Sequence, residues 1–342
     1  MSENTPIEWT DDSWNPVRAR NKETGGIGHF CVKVSPGCRH CYAEKFQPRV
    51  KNHIRYAAQD LEKVAIFFDH EVAERPLRRK RPRRIFPCSM TDLFGEFVPD
   101  DMIALAFAYM AYARQHTFQV TTKRPERALE LVTSEAFAER YDGACTMVAD
   151  IACEILGRRG EFDPNARRRD DIRALDPAFP LANVWLGASV EDQQRADERR
   201  GAMERLALER WVTWVSNEPA LGPVDWAGWE FLSWMVSGGE SGKEASPTHP
   251  DWHRADRDWC AKNHVAYFFK QWGAHLPGEM NRGDVSIAWQ DGRREWYGDH
   301  QDIKYQPYWL DSEAGRLVIA YPVGKKKAGR LLDGRTHDGY PQ

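Results

Sequence analysis

The sequence predicts an α/β fold, a partial or complete TIM-like (βα) barrel, on three observations. Six short β-like runs alternate with helical runs, the order that gives a parallel sheet with crossover helices. Nearly every run ends in an abrupt change from apolar to polar or charged residues, as expected where strand ends open into one ring of loops. The 342 residues also accommodate a barrel of about 250 residues with an insertion and an appendage.

In chain order the first feature is a polar loop, Cys31-Val-Lys-Val-Ser-Pro-Gly-Cys38-Arg-His-Cys41, which gathers three of the seven cysteines. A basic run, Arg78, Arg79, Lys80, Arg81, Arg83 and Arg84, then leads into a strand at Arg84–Ser89. Asp100–Arg114 follows Pro99 with two acids at the positive end of the helix dipole, and Ile103, Phe107 and Met110 recur at helical spacing. A strand is expected at Thr117–Thr122. Residues 134–180 break the alternation and read as an insertion, in which Thr146–Leu156 has the composition of a short helix.

Strands at Asn183–Ser189, Trp211–Ser216, Leu232–Ser237 and Val265–Lys270 resume the pattern. Gln193–Leu206 places Ala196, Ala202, Met203 and Leu206 near one face, and Asp251–Asn263 places Trp252, Ala255, Trp259 and Cys260 on one stripe, so both read as crossover helices. From residue 278 the composition turns to Gly-, Asp- and Tyr-rich turns with one β-like run, Leu317–Tyr321. The expected organisation is a barrel over 1–277, carrying the insertion at about 134–180, and an appendage over 278–342 with a basic tail that folds back on it.

Composition narrows the function classes. The N-terminal residues are polar and acidic, unlike a secretory signal, and the longest apolar run, Met102–Ala113, is short for a membrane span, so a cytoplasmic protein without a membrane role is expected. Seven cysteines in such a chain are not a disulfide framework, and Cys88, Cys145, Cys153 and Cys260 read as single buried thiols. Net charge is only −3, so attraction to nucleic acid would come from local patches: the run at 78–84, and Lys325, Lys326 and Lys327. Fourteen tryptophans offer faces for stacking on bases.

The strand endings supply the candidate site. They carry Ser89 and Asp92, Lys123 and Arg124, Ser189 and Glu191, Glu218, Gly238-Gly239-Glu240, and Lys270. Ser, Asp and Glu after a strand also serve as helix caps, the competing reading for Asp92, Asp192 and Ser241. For Lys123, Arg124, Glu218, Glu240 and Lys270 the competing reading is a ring of local ion pairs, because charged groups there need partners or solvent. The glycines of Ser237–Gly242 allow backbone amides to approach an anionic ligand, but the segment matches neither dinucleotide nor phosphate-loop fingerprints.

Three thiolates on one loop can hold an iron–sulfur cluster with one iron left without a protein ligand. Zinc is the alternative metal, its Cys3His set completed by His29 or a distant group rather than by His40, which sits between Cys38 and Cys41 with no residue to spare.

Residues 5–16, 33–43, 89–94, 122–127, 183–187, 218–219 and 238–242, together with the closing Gly324-Lys-Lys-Lys-Ala-Gly-Arg-Leu-Leu-Asp-Gly-Arg335, resemble a phage-associated family with a three-cysteine motif. The likeness covers almost the whole chain outside 134–180. It implies a barrel of the radical SAM type, distantly similar to spore photoproduct lyase, with Cys31, Cys38 and Cys41 binding a 4Fe–4S cluster and S-adenosylmethionine (SAM) as a second cofactor. Two features differ from the usual radical SAM pattern: six residues rather than three separate the first two cysteines, and the Gly-Gly-Glu element comes late.

From their strand-end positions Glu218, Glu240, Lys123 and Lys270 are expected to be catalytic, and Ser89, Asp92, Ser189, Glu191, Gly238 and Gly239 to bind cofactor. Arg78, Arg79, Lys80, Arg81, Arg83, Arg84, Arg124 and Lys325–Lys327 contact a nucleic acid or nucleotide substrate. An electron donor would be a required partner. The alternative function is a zinc- or cluster-stabilised binding protein that acts with a phage or defence partner and has no turnover.

Overall fold

The structure is a computed structural model describing residues 2–50, 52–158, 179–277, 308–311, 317–321 and 323–342. The chain forms two units, the first made of Met1–Val34, Ala43–Ala188 and Gly201–Thr213, the second of Ser35–Tyr42, Ser189–Arg200 and Trp214–Gln342.

In the first unit, β1 (Ser2–Glu3), β2 (Asp12–Trp14), β3 (Val17–Asn21), β4 (Ile27–Gly28), β5 (Val64–Phe68), β6 (Arg84–Pro87), β7 (Thr117–Thr122) and most of β8 (Val184–Ser189) build two sheets. The larger has the order β1-β2-β6-β7-β8, antiparallel only at β1. The smaller, β4-β3-β5, is antiparallel. The sheet begins earlier than the sequence reading placed it. Strand β2 is too short and too polar to show a period, yet Trp14 is fully buried, its ring 5.6 Å from that of Phe118. Asp12 is equally buried beside Arg79 and Arg83.

The crossover from β6 to β7 is the helix Asp100–Tyr112, on which Ile103, Phe107 and Met110 are buried as expected, but so are Ala104, Ala106, Ala108, Tyr109 and Ala111. A helix buried on nearly every side needs cover on its outer face. Here the cover is Glu135–Arg158, a 24-residue helix that packs along it. This helix thus forms a structural layer, closed by Phe107, Phe137, Tyr141, Phe179 and Trp211, whose rings meet at 4.5–6.2 Å. Residues 159–178 lie outside the described segments.

In the second unit, β9 (Val212–Asn217) from Trp214 onward, β10 (Trp234–Gly238) and β11 (Ala266–Gln271) are parallel with β10 central. All five residues of β10 are buried, as in a strand covered on both faces. The helix Pro250–Lys262 joins β10 to β11. Parallel strands joined by helices in both units are the α/β class the sequence predicts. Three further strands, β12 (Leu276–Pro277), β13 (Tyr308–Asp311) and β14 (Leu317–Tyr321), form an antiparallel sheet in which β14 is the run expected from the sequence.

The C-terminal residues do not stand apart. Phe268 bridges Asp338 antiparallel, the Phe269 N–H donates to His337 O at 3.0 Å, and the Gly339 N–H donates to Tyr267 O at 2.9 Å. The edge strand β11 is thereby hydrogen-bonded on its outer side. Among the described residues no helix is long and apolar enough to cross a membrane.

Candidate functional site

The cysteine loop is held by charged residues from strand ends. In the second unit the turn Pro36–Cys38 begins with the Cys38 N–H donating to Ser35 O at 2.9 Å. The Ser35 hydroxyl donates to Glu191 Oε1 at 2.7 Å and lies 3.7 Å from Cys38 Sγ. Glu191, two residues beyond β8 and fully buried, has its other oxygen 2.9 Å from Arg199 Nη1. Arg199 completes the buried stripe of the helix Gln193–Leu208 with Ala196, Met203 and Leu206, so a cation lies where spacing alone suggests an apolar residue. At the far end of the loop, His40 Nδ1 is 3.3 Å from Glu240 Oε2, which also accepts the Ser246 N–H at 2.6 Å.

Cys31 belongs to the first unit, and the residues on either side of it are anchored separately. Thr91 donates to Phe30 O, and Arg124 Nη2 donates to Val32 O at 3.2 Å. Arg124 is almost wholly buried and pairs with Asp92 at 3.0 Å and Glu96 at 2.7 Å. Its burial opposes the charge, but Asp92, Cys31 and Glu96 more than offset that and hold its pKa above the ordinary value. Asp92 also accepts from Thr122 Oγ1 at 2.6 Å and from the Lys123 N–H at 3.0 Å, so it organises the end of β7.

No cysteine is in a disulfide. Among the described residues no group of three or more His, Cys, Asp or Glu side chains is gathered closely enough to hold a metal ion. The fit to a metal is therefore one of donor chemistry: three thiols on one short, anchored loop. His29 Nδ1 lies 3.3 Å from Val17 O, and burial lowers its pKa to about 4, which keeps the ring neutral as metal ligation requires.

Of the other strand-end residues, Glu218 and Lys270 are brought together, with Lys270 Nζ 2.6 and 2.8 Å from the two carboxylate oxygens. Gln271 Nε2 adds a bond to Glu218 at 3.3 Å and another to Ser241 Oγ at 2.8 Å. Ser89 is tied to Asn15 at 3.1 Å, and Ser189 O accepts from Arg199. Gly239 has a packing explanation: a Cβ there would lie 2.2 Å from Trp272 O, and its N–H donates to Gln271 O at 2.9 Å. Gly238 O accepts the Ala220 N–H at 2.9 Å.

Most of the basic run at 78–84 is engaged inside the first unit. Arg78 pairs with Glu74, Arg79 and Arg83 approach Asp12 at 3.6 and 3.9 Å, and Arg84 reaches Asp11 at 3.1 Å. Ion pairing accounts for four of its six cations. Lys80, Arg81, Lys326 and Lys327 are exposed, while Lys325 is half-buried in the short helix Lys325–Ala328.

Sequence reasoning missed a buried polar network beneath β9 and β10. Asp256 accepts from Ser237 Oγ at 2.6 Å, Trp226 Nε1 at 2.7 Å and Asn217 Nδ2 at 2.8 Å. Ser237 Oγ is also 2.6 Å from His253 Nδ1, whose Nε2 lies 2.8 Å from Thr248 Oγ1. The helix buries His253, Asp256 and Cys260, one residue out of phase with the apolar stripe, and Ala255 is exposed. The presence of His253 and Asp256 three residues apart was the available signal.

Burial, then the neighbouring His249, lowers the His253 pKa from 6.5 to about 3. The unfolded ring takes a proton that the folded ring refuses, so this stability is present above pH 6.5 and lost as pH falls toward about 3. Asp256, raised by burial, acts in the opposite sense. The expected loss from His253 approaches about 1.4 kcal/mol per pH unit within that window. Urea unfolding across pH of the wild type and His253→Gln checks it: the difference in slope should amount to one proton, and parallel profiles would exclude the assignment.

The family model described as "Protein of unknown function (DUF5131)" matches residues 4–341. No curated protein and no solved structure matches the chain.

Proposed function

We propose that this chain, which belongs to the DUF5131 family, is an iron–sulfur enzyme of the radical SAM-like kind that modifies or repairs nucleic acid or a nucleotide. The observation that carries the reading is the cysteine loop: three thiols outside any disulfide, on a segment whose residues are anchored by Arg124, Glu191 and Glu240. When bound, a 4Fe–4S cluster would supply the one-electron chemistry by which carbon radicals are made from a sulfonium cofactor.

The chain's own residues have narrower tasks. Cys31, Cys38 and Cys41 would hold the cluster. Glu218 and Lys270 present a carboxylate and an ammonium fixed against each other at the ends of β9 and β11, suited to orienting a polar substrate without adding net charge. A nucleic-acid substrate is supported by the exposed Arg81, Lys326 and Lys327 rather than by the ion-paired arginines. Anaerobic purification with iron, sulfide and zinc analysis, and an electron paramagnetic resonance spectrum of the reduced protein with and without SAM, tests the proposal. About four irons and a spectrum that SAM perturbs are expected. Iron with a spectrum indifferent to SAM would remove the radical chemistry.

One observation favours the alternative, a zinc-stabilised binding protein. A backbone carbonyl on one ring nitrogen of a histidine, as Val17 O is on His29 at 3.3 Å, is a common outer partner of zinc ligands. Stoichiometric zinc without iron in the same analysis would establish that reading instead.

A further inference from the structure

We infer that Glu191, together with Ser35, is a positioning device that sets the side chain of Cys38, rather than a group that contacts cofactor. The inference rests on the reading of Cys38 as a metal ligand. Both oxygens of Glu191 are already engaged, one by the Ser35 hydroxyl at 2.7 Å and the other by Arg199 at 2.9 Å, and the residue is fully buried. Its backbone is engaged as well, because Glu191 O accepts the Leu221 N–H at 2.8 Å.

The loop lies directly on this carboxylate. A Cβ built on Gly37 would stand 2.6 Å from Glu191 Cγ and 2.8 Å from Oε1, so only glycine lets the turn approach so closely. From there the connection to sulfur is short: Ser35 Oγ, which donates to Glu191, is 3.7 Å from Cys38 Sγ, and Ser35 O accepts the Cys38 N–H. A buried carboxylate neutralised by arginine does not move readily, since an unpaired charge in that place is costly. Glu191 therefore transmits the rigidity of the strand end to the thiol. Glu240 plays the matching part for His40, one residue before Cys41.

The experiment measures the alkylation rate of each cysteine by mass spectrometry in metal-free protein, beside the iron content of anaerobically prepared protein. Ser35→Ala is the first variant, because it removes the link without burying a charge. Gly37→Ala, Glu191→Ala and the double variant complete a cycle. Ser35→Ala and Gly37→Ala should each speed alkylation of Cys38 several-fold relative to Cys88 and lower the iron bound. Adding Gly37→Ala to Glu191→Ala should change little further, because the atoms that a Cβ would strike are gone. An unchanged Cys38 rate in Ser35→Ala, or strictly additive effects in the cycle, overturns the inference. If the wild type binds no iron yet the cysteine rates behave as described, the positioning stands and the cluster reading fails.

Discussion

On the iron–sulfur reading, Cys38→Ala is expected to reduce bound iron from about four atoms per chain to background while leaving the protein folded. The two parts of that statement have separate origins. The sulfur has no substitute on the loop, because Ser35 and Arg39 offer no thiolate. The fold, by contrast, does not depend on it: the second unit has a core of its own, with Trp214, Trp226, Trp229, Trp234, Phe268 and Phe269 buried. Losing one buried sulfur from a small side chain costs about 1 kcal/mol, a shift of about 1–2 °C in Tm for a chain of 342 residues. Metal analysis paired with thermal unfolding reads both. Unfolding of the variant at ordinary temperature would mean that the metal holds the structure together, as the binding-protein alternative requires.

Asp256→Ala should be the most destabilising single change in the second unit away from the loop. Its carboxylate receives three side-chain donors, from Asn217, Trp226 and Ser237, and all four residues are buried. Truncation strands those donors without water, at a cost on the order of 3–5 kcal/mol. Asp256→Asn, which keeps an oxygen acceptor and the shape, should cost about half as much. Urea unfolding midpoints measure both, and a loss under about 1 kcal/mol for the alanine variant would mean that relaxation or entering water satisfies the network. The same experiment reports on the strand ends, because Asn217 precedes Glu218 and Ser237 lies three residues before Glu240.

The strands were legible because their signal is local. Thr117–Thr122 is found where the alternation placed it, and β6, β8, β9, β10 and β11 differ from expectation by a residue or two at their ends. Helix faces were less so. Asp251–Asn263 reads as a tryptophan stripe, but a hydroxyl and an indole N–H from elsewhere in the chain turn its polar face inward, and no periodicity within the helix reports that. The apolar positions of Glu135–Arg158 are diluted by charge, and its role as cover becomes visible only against the helix it packs along.

The site divides along the same line. Cys31, Cys38 and Cys41 announce themselves by spacing. Glu191 and Glu240 were picked out as strand-end acids, but their engagement with Ser35 and His40 is a matter of distances that sequence does not encode. The run at 78–84 shows the reverse limitation. Six cations in seven residues suggest phosphate, until Glu74, Asp11 and Asp12 are found beside four of them.

The backbone bonds along the outer side of β11 bear on how copies of this protein meet one another. A parallel sheet ends in a strand with half its peptide groups unsatisfied, and such a border recruits other chains into intermolecular sheets and then into aggregates. Here Phe269 and Tyr267 already exchange bonds with His337 and Gly339 of the same molecule, and the indole of Trp234 fastens that cover through Gly339 O at 2.8 Å. The border is closed from within, so at high concentration this strand offers its neighbours no template.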